Sequence, residues 1–111
     1  MKVFKFGGAS VKDADSVKNV AQVIRKFSDD SLVVIVSAMG KTTNALEELV
    51  RLFFEGKDWT KQLSDIKEFH FNISNGLFEK EHKVYGRMDI IFDRISSYLN
   101  AASSKSYVEV Y

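Results

Sequence analysis

Leu32-Val33-Val34-Ile35-Val36 is an unbroken apolar run, β-branched after its first residue, with no polar side chain interleaved. A strand with one face in water alternates apolar and polar residues. A run without alternation is expected of a strand buried on both faces, as in a parallel sheet with helices on either side. Parallel strands need a long crossover, usually a helix. The residues just before the run supply both requirements. Val3-Phe4-Lys5-Phe6 reads as a short strand, and Val17, Val20, Ala21, Val23, Ile24 and Phe27 recur at helical spacing from about Asp13 to Phe27. Asp13 or Asp15 can cap that helix, and first-turn acids suit its dipole. Ser28-Asp29-Asp30-Ser31 then supplies turn chemistry. Strand, helix, strand of this kind is a right-handed βαβ unit.

Both strands end in small, polar, glycine-containing loops. After the first comes Gly7-Gly8-Ala9-Ser10. After the second comes Ser37-Ala38-Met39-Gly40-Lys41-Thr42-Thr43-Asn44, which leads into a helix carrying Leu46, Leu49, Val50, Phe53 and Phe54, with Gly56 as its stop. In a parallel sheet these loops lie at the same edge, and open α/β sheets bind ligands outside the carboxyl ends of their strands. Glycine lets backbone approach a phosphate closely, and the N–H groups of a first helical turn point at an anion. Lys5 shares a strand face with Val3, where a buried strand would place an apolar side chain. Its ammonium is either a point charge for phosphate or the solvated head of a packed stem.

The second half is helical. Asp58 to Lys80 carries Leu63, Ile66, Phe69, His70, Ile73 and Leu77 at helical intervals and reads as one long helix. Glu79-Lys80-Glu81-His82-Lys83 is a solvated turn. After Gly86, Met88 to Ala102 reads as a further amphipathic helix with Ile90, Ile91, Ile95 and Leu99 on its apolar side. Ser103-Ser104-Lys105 loosens the chain, and Tyr107-Val108-Glu109-Val110-Tyr111 begins something short and alternating. Two convincing strands cannot make the well-covered sheet that the apolar run requires, so residues 1–111 are expected to be the front part of a larger domain.

Composition narrows the function classes. A net charge of +1 over 111 residues argues against a dedicated nucleic-acid binder. No stretch approaches the ~18 apolar residues of a membrane span, which leaves the cytoplasm as the default location. There is no cysteine, hence no disulfide framework and no thiolate metal site. The absence of proline suits a mostly helical chain without a rigid linker.

Gly40-Lys41-Thr42 invites comparison with the phosphate-binding P-loop, but the leading glycine of that motif would fall on Ile35, inside the strand. Two other uses of the segment remain open. Ser37, Thr42, Thr43 and Asn44 could hydrogen-bond a small polar substrate, or Thr42 or Thr43 could merely cap the helix. His70, among Phe69, Phe71 and Ile73, reads as a packed helix residue, and neither it nor His82 has a neighbour at metal-ligand spacing. No metal ligands are expected.

Taken together, the two loops resemble a known family. Lys5-Phe6-Gly7-Gly8-Ala9-Ser10-Val11 is similar to the opening signature of aspartate kinases, K-F-G-G-[TS]-S-[VL]. Val36-Ser37-Ala38-Met39-Gly40-Lys41-Thr42-Thr43-Asn44 is similar to their second-strand loop, V-S-A-x-x-x-x-T-[ND]. The order and the intervening helix and strand agree as well. Ala9 departs from the pattern, which removes a hydroxyl and leaves the backbone intact. The resemblance implies a three-layer α/β/α amino-acid kinase fold, of which this chain is the N-terminal portion, without the nucleotide-binding half or the ACT regulatory domains. It implies ATP, with Mg²⁺ on its phosphates, and L-aspartate as substrates, in the route to lysine, threonine and methionine, and a homo-oligomer in the complete protein. It assigns Lys5 to charge on the transferring phosphoryl group, Gly7, Gly8 and Ser10 to the phosphates, and Ser37 and Thr43 to aspartate. Phosphoryl transfer asks for positioning and charge neutralisation more than covalent chemistry, which these groups can supply. Two alternatives stand beside this reading: another amino-acid kinase, for example one acting on acetylglutamate, or a non-catalytic helical domain that self-associates through an uncovered apolar surface.

Overall fold

The computed structural model describes residues 1–27, 29 and 31–102. Ser28 and Asp30 of the expected turn and the alternating Tyr107–Tyr111 stretch lie outside the described residues. The chain divides into two compact units, Met1–Thr42 and Thr43–Tyr111.

The first unit is the expected βαβ element. Strand β1 (Lys2–Phe6) pairs in parallel with β2 (Leu32–Val36), in a register that sets Lys5 against Ile35 and Phe6 against Val36. Between them runs helix α1 (Ala14–Lys26), capped by the Asp13 carboxylate, which accepts from the Ser16 N–H at 2.8 Å. The hydrogen bond favours the ionised carboxyl, so the Asp13 pKa lies below its ordinary 3.8. Arg25 and Lys26 sit in the last turn, where cations suit the dipole. The Phe4 ring meets the Phe27 ring edge-on at 5.1 Å, so the Phe4 and Phe6 face of the sheet is the one α1 covers.

Two expectations are corrected here. The β2 run is not buried on both faces: Val33 is 42% exposed and Val36 54% exposed. Among the described residues the sheet has two strands, each therefore an edge, and one helix cannot cover both faces. The glycines also do not open straight into α1. A 3₁₀ turn, Gly8–Val11, intervenes, and Asp13 already occupies the N-terminus of α1 with its own negative charge. The donors nearest the glycines are those of the 3₁₀ turn rather than of the α-helix.

The second unit carries the larger hydrophobic cluster. Helix α2 (Thr42–Phe54) straddles the boundary at its first residue. It ends in a Schellman closure: Lys57 N–H reaches Leu52 O at 3.0 Å, Gly56 N–H reaches Phe53 O at 3.2 Å, and Gly56 takes a φ of +69°. Helix α3 (Thr60–Asn75) starts beside Asp58, whose carboxylate accepts from both the N–H and the hydroxyl of Thr60, and its pKa is lowered accordingly. Helix α4 is Val84–Ala101. Leu49, Leu63, Ile66 and Leu99 form the buried centre, with Phe53, Trp59, Phe92 and Ile95 packed against it. Gln62 on α3 donates to the Ala45 carbonyl of α2, and Lys67 pairs with Asp89 across α3 and α4.

Both helix boundaries in this unit differ from expectation. The long helix stops at Asn75, because the Ser74 carbonyl takes the Leu77 and Phe78 N–H groups and the chain turns there. Leu77 continues the apolar pattern by sequence but not by structure. Helix α4 starts before Gly86 and contains it, and Ile90 and Ile91, expected on its apolar side, are 53% and 54% exposed.

Candidate functional site

The site is built at the carboxyl edge of the sheet, where the two strand exits lie side by side. Because β1 and β2 are adjacent and in register, the Gly7-Gly8 turn and the Ser37–Thr42 loop leave the sheet next to each other. Ser37 N–H donates to Phe6 O at 2.9 Å, extending the ladder past the end of the strands. Gly40 N–H then donates to Gly8 O at 3.0 Å, tying one loop to the other. A Cβ on Gly8 would stand 2.5 Å from Gly40 O and 3.1 Å from Ala38 O, so only glycine allows the loops this close.

The alternation of β1 and β2, carried one step further by the Ser37 hydrogen bond, places Lys5, Ile35 and Ser37 on one face. Lys5 and Ser37 are both exposed, and this is the face opposite Phe4 and Phe6. Lys5 is the last residue on that face before the chain turns, so its ammonium can work at the carboxyl edge. Ser10 is placed differently: it lines a cavity of about 440 Å³ on the α1 side, together with Phe6, Ala9, Ser16 and Val20. The edge of the sheet therefore gathers Lys5, Gly7, Gly8 and Ser37, whereas Ser10 flanks the turn on its other side.

Thr42 and Thr43 divide the roles left open by the sequence. Thr42 is buried, its N–H donates to Met39 O at 3.1 Å, and its hydroxyl donates to the same carbonyl. It is the structural threonine that closes the loop. Thr43 is exposed in the first turn of α2, in the second unit, where it lines a groove with Leu46, Arg94 and Tyr98.

His70 is placed as expected: its Nδ1 lies 2.7 Å from the Ile66 carbonyl oxygen, and its ring meets Phe69 and Phe92. Among the described residues no group of three or more His, Asp or Glu side chains is placed to hold a metal ion. No helix among them is long and apolar enough to cross a membrane.

Two residues that the sequence reading noted only as a helix cap and as part of a P-loop comparison matter to this geometry in another way. Asp13 keeps α1 from serving as the anion site. Gly40 joins the loops through a left-handed conformation, φ +57°. The second left a signal, since a glycine just before a run of hydroxyl residues and a helix start marks a tight backbone turn.

Residues 1–103 match the family model described as "Amino acid kinase family". Aspartokinase 2, chloroplastic, of Arabidopsis thaliana is 42% identical over 79 residues, which is 68% of this chain and 14% of that protein. The aspartokinase of Mycolicibacterium smegmatis is 47% identical over 51 residues, 44% of this chain and 12% of that protein. The crystal structure of Clostridium acetobutylicum aspartate kinase superposes with a TM-score of 0.73 at 21% identity, covering 96% of this chain and 25% of the other. The α/β fold is thus that of a solved aspartate kinase, and the chain spans about one seventh of the length of the curated plant relative.

Proposed function

The chain belongs to the amino acid kinase family, and from that premise we propose that it forms the phosphate-anchoring and aspartate-facing part of an aspartate kinase. The reaction is phosphoryl transfer from ATP to the side-chain carboxylate of L-aspartate. Magnesium travels with the nucleotide phosphates as part of the substrate. What carries the reading is the pair of strand exits held side by side by Ser37 N–H to Phe6 O and Gly40 N–H to Gly8 O, one presenting Lys5 and paired glycines, the other hydroxyls.

The roles follow from the chemistry at that edge. Lys5, exposed at the carboxyl end of β1, offsets charge on the transferring phosphoryl group as it spreads over the equatorial oxygens. The backbone at Gly7 and Gly8 approaches the phosphate oxygens without side-chain obstruction, and Ser10 donates from the α1 side. Ser37 and Thr43 bind the polar ends of aspartate through their hydroxyls. Positioning two anionic reactants against each other is most of the catalytic task, and fixed donors achieve it without reorganising at the moment of transfer. Residues 1–111 alone then bind substrate fragments but do not turn over, because transfer needs the nucleotide and the acceptor held in register by more than this edge.

The test is a graft. Residues 1–103, the span of the family match, replace the equivalent span of the M. smegmatis aspartokinase, and aspartate-dependent ADP release is measured. Activity is expected, and Lys5→Ala in the graft should lower kcat by about 10²–10³-fold, the usual effect of removing one charge-stabilising donor. Turnover of acetylglutamate in place of aspartate would move the assignment to the sister activity. An unimpaired Lys5→Ala graft would remove Lys5 from the chemistry. Aspartate-dependent ADP formation by the 111-residue chain alone would show that this edge suffices.

A further inference from the structure

Two arginines of the helical unit have opposite surroundings. Arg51 on α2 has Glu48 three residues before it and Glu55 four residues after, and its guanidinium pairs with both carboxylates. At the same spacings Arg94 on α4 has Ile90 and Ile91 on one side and Ser97 and Tyr98 on the other. Its own helix therefore offers it no carboxylate. Among the described residues no ion pair or hydrogen bond reaches it from another element either.

This guanidinium stands at an apolar groove. Between α2 and α4 lies a partly open cavity of about 520 Å³, and Arg94 is the one charged residue that lines it. Leu49, Val50 and Leu99 are buried beneath it. Leu46 and Tyr98 flank it and remain 37% and 43% exposed, so apolar surface is left uncovered beside a cation. Small-molecule sites of this size are mostly apolar, with a few polar groups that fix orientation. A guanidinium takes a carboxylate through two parallel hydrogen bonds, and the pair gains strength where apolar neighbours exclude water. An occupant that satisfies both parts of the groove is acidic at one end and hydrocarbon along the rest.

We propose that the α2–α4 groove is a binding site for an aliphatic monocarboxylate, with Arg94 holding the carboxylate and Leu46, Ile95 and Tyr98 covering the chain. The site lies within the helical unit and does not rest on the kinase reading.

The experiment titrates sodium octanoate into the 111-residue chain, labelled with ¹⁵N and with ¹³C in its methyl groups. Shifts should gather at Leu46, Leu49, Val50, Ile95 and Leu99 and saturate together. Octanol has the same chain without the charge, and butyrate has the charge with less chain. Each should bind at least about tenfold more weakly than octanoate. Arg94→Gln removes the charge and should weaken octanoate by about tenfold, the low end for a charge-assisted pair on a solvated side chain, while leaving octanol unchanged. Because Arg94 is exposed, the variant should keep the thermal midpoint of the unsubstituted chain. Arg87→Gln, about two turns earlier on the same helix and outside the groove, should leave octanoate binding within about twofold. Equal weakening by the two substitutions, octanol binding as tightly as octanoate, or no saturable shift overturns the proposal. Shifts at Leu46 and Ile95 that follow protein concentration and ignore octanoate give the groove to a second copy of the chain, and overturn it as well.

Discussion

The two units of this chain are held together by different means. In Met1–Thr42 the buried apolar side chains are few, Val11 and Val20, and the strands stay well exposed. What fixes the geometry there is backbone: the β1–β2 ladder, its extension to Ser37, and the bond from Gly40 to Gly8. In the second unit side chains dominate, with Leu49, Leu63, Ile66 and Leu99 at the centre and aromatic rings around them. The lesson is that the unit bearing the candidate site is specified by main-chain hydrogen bonds and glycines. Its helical neighbour is specified by apolar packing. Substitutions should therefore hurt the two for different reasons.

The largest stability effect belongs to the helical unit. Leu49 is 2% exposed, and Leu49→Ala should cost about 3 kcal/mol, the transfer loss plus the cavity left behind, read as a lower midpoint in thermal or urea unfolding. Its counterpart Ile91→Ala, at a site 54% exposed on α4, should cost under about 0.5 kcal/mol. Equal losses at the two sites would break the contrast between a packed centre and an open helix face.

Next comes the end of α2. Gly56 holds φ +69°, so Gly56→Ala imposes a left-handed alanine and should cost about 1 kcal/mol. There is open space around it, with nothing within 4 Å of an added Cβ, so strain alone sets the loss. Gly56→Asn should recover most of it. A loss as large as that of Leu49→Ala would mean that packing and not backbone governs this turn.

The smallest effect is electrostatic and sharpens the comparison by pH. Asp13 in the first unit and Glu48, Glu55 and Asp58 in the second all have pKa values lowered from ordinary ones of 3.8 or 4.5. The causes are hydrogen bonds to Ser16, Arg51, Lys57 and Thr60 respectively, with Arg51 also donating to Glu55 and its own pKa raised in turn. A lowered folded-state value means that the unfolded chain takes up protons first as pH falls. The contribution is present above the ordinary values and is lost as pH drops through the folded ones. Midpoints should hold from neutral pH to about 4.5 and fall below it. Added salt should blunt the Glu48–Arg51–Glu55 share, since these side chains are solvated. A midpoint that rises on acidification contradicts the cap and ion-pair assignments.

Much of this was legible in the sequence, and the failures have physical causes. The βαβ order, both strands and the pairing of the two loops followed from the β-branched run and the helical spacing between it and Phe6. The 3₁₀ turn did not, because four residues are too few for periodicity to register. Leu77 misled because an apolar residue at the right interval continues a pattern even after the backbone has turned. Gly86 misled because a glycine in the first turn of a helix looks like punctuation. The exposure of Val33 to Val36 was missed because burial depends on what lies beside a strand, and a strand's own residues do not encode that. The meeting of the two loops at one edge was read from the parallel order of the strands, whereas the shared face of Lys5 and Ser37 needed the register, and Ser10 lines the α1 side of the turn.

The bond between Gly40 and Gly8 also dictates which kinds of genetic change the candidate site can absorb. The donor meets its acceptor only because two residues follow β1 before the bond and four follow β2, a fixed count on each arm. Side chains at Met39 or Lys41 can vary within that count, but inserting or deleting one residue in either arm slides donor past acceptor. Engineering of this edge should proceed by exchange of letters and never by change of spelling length.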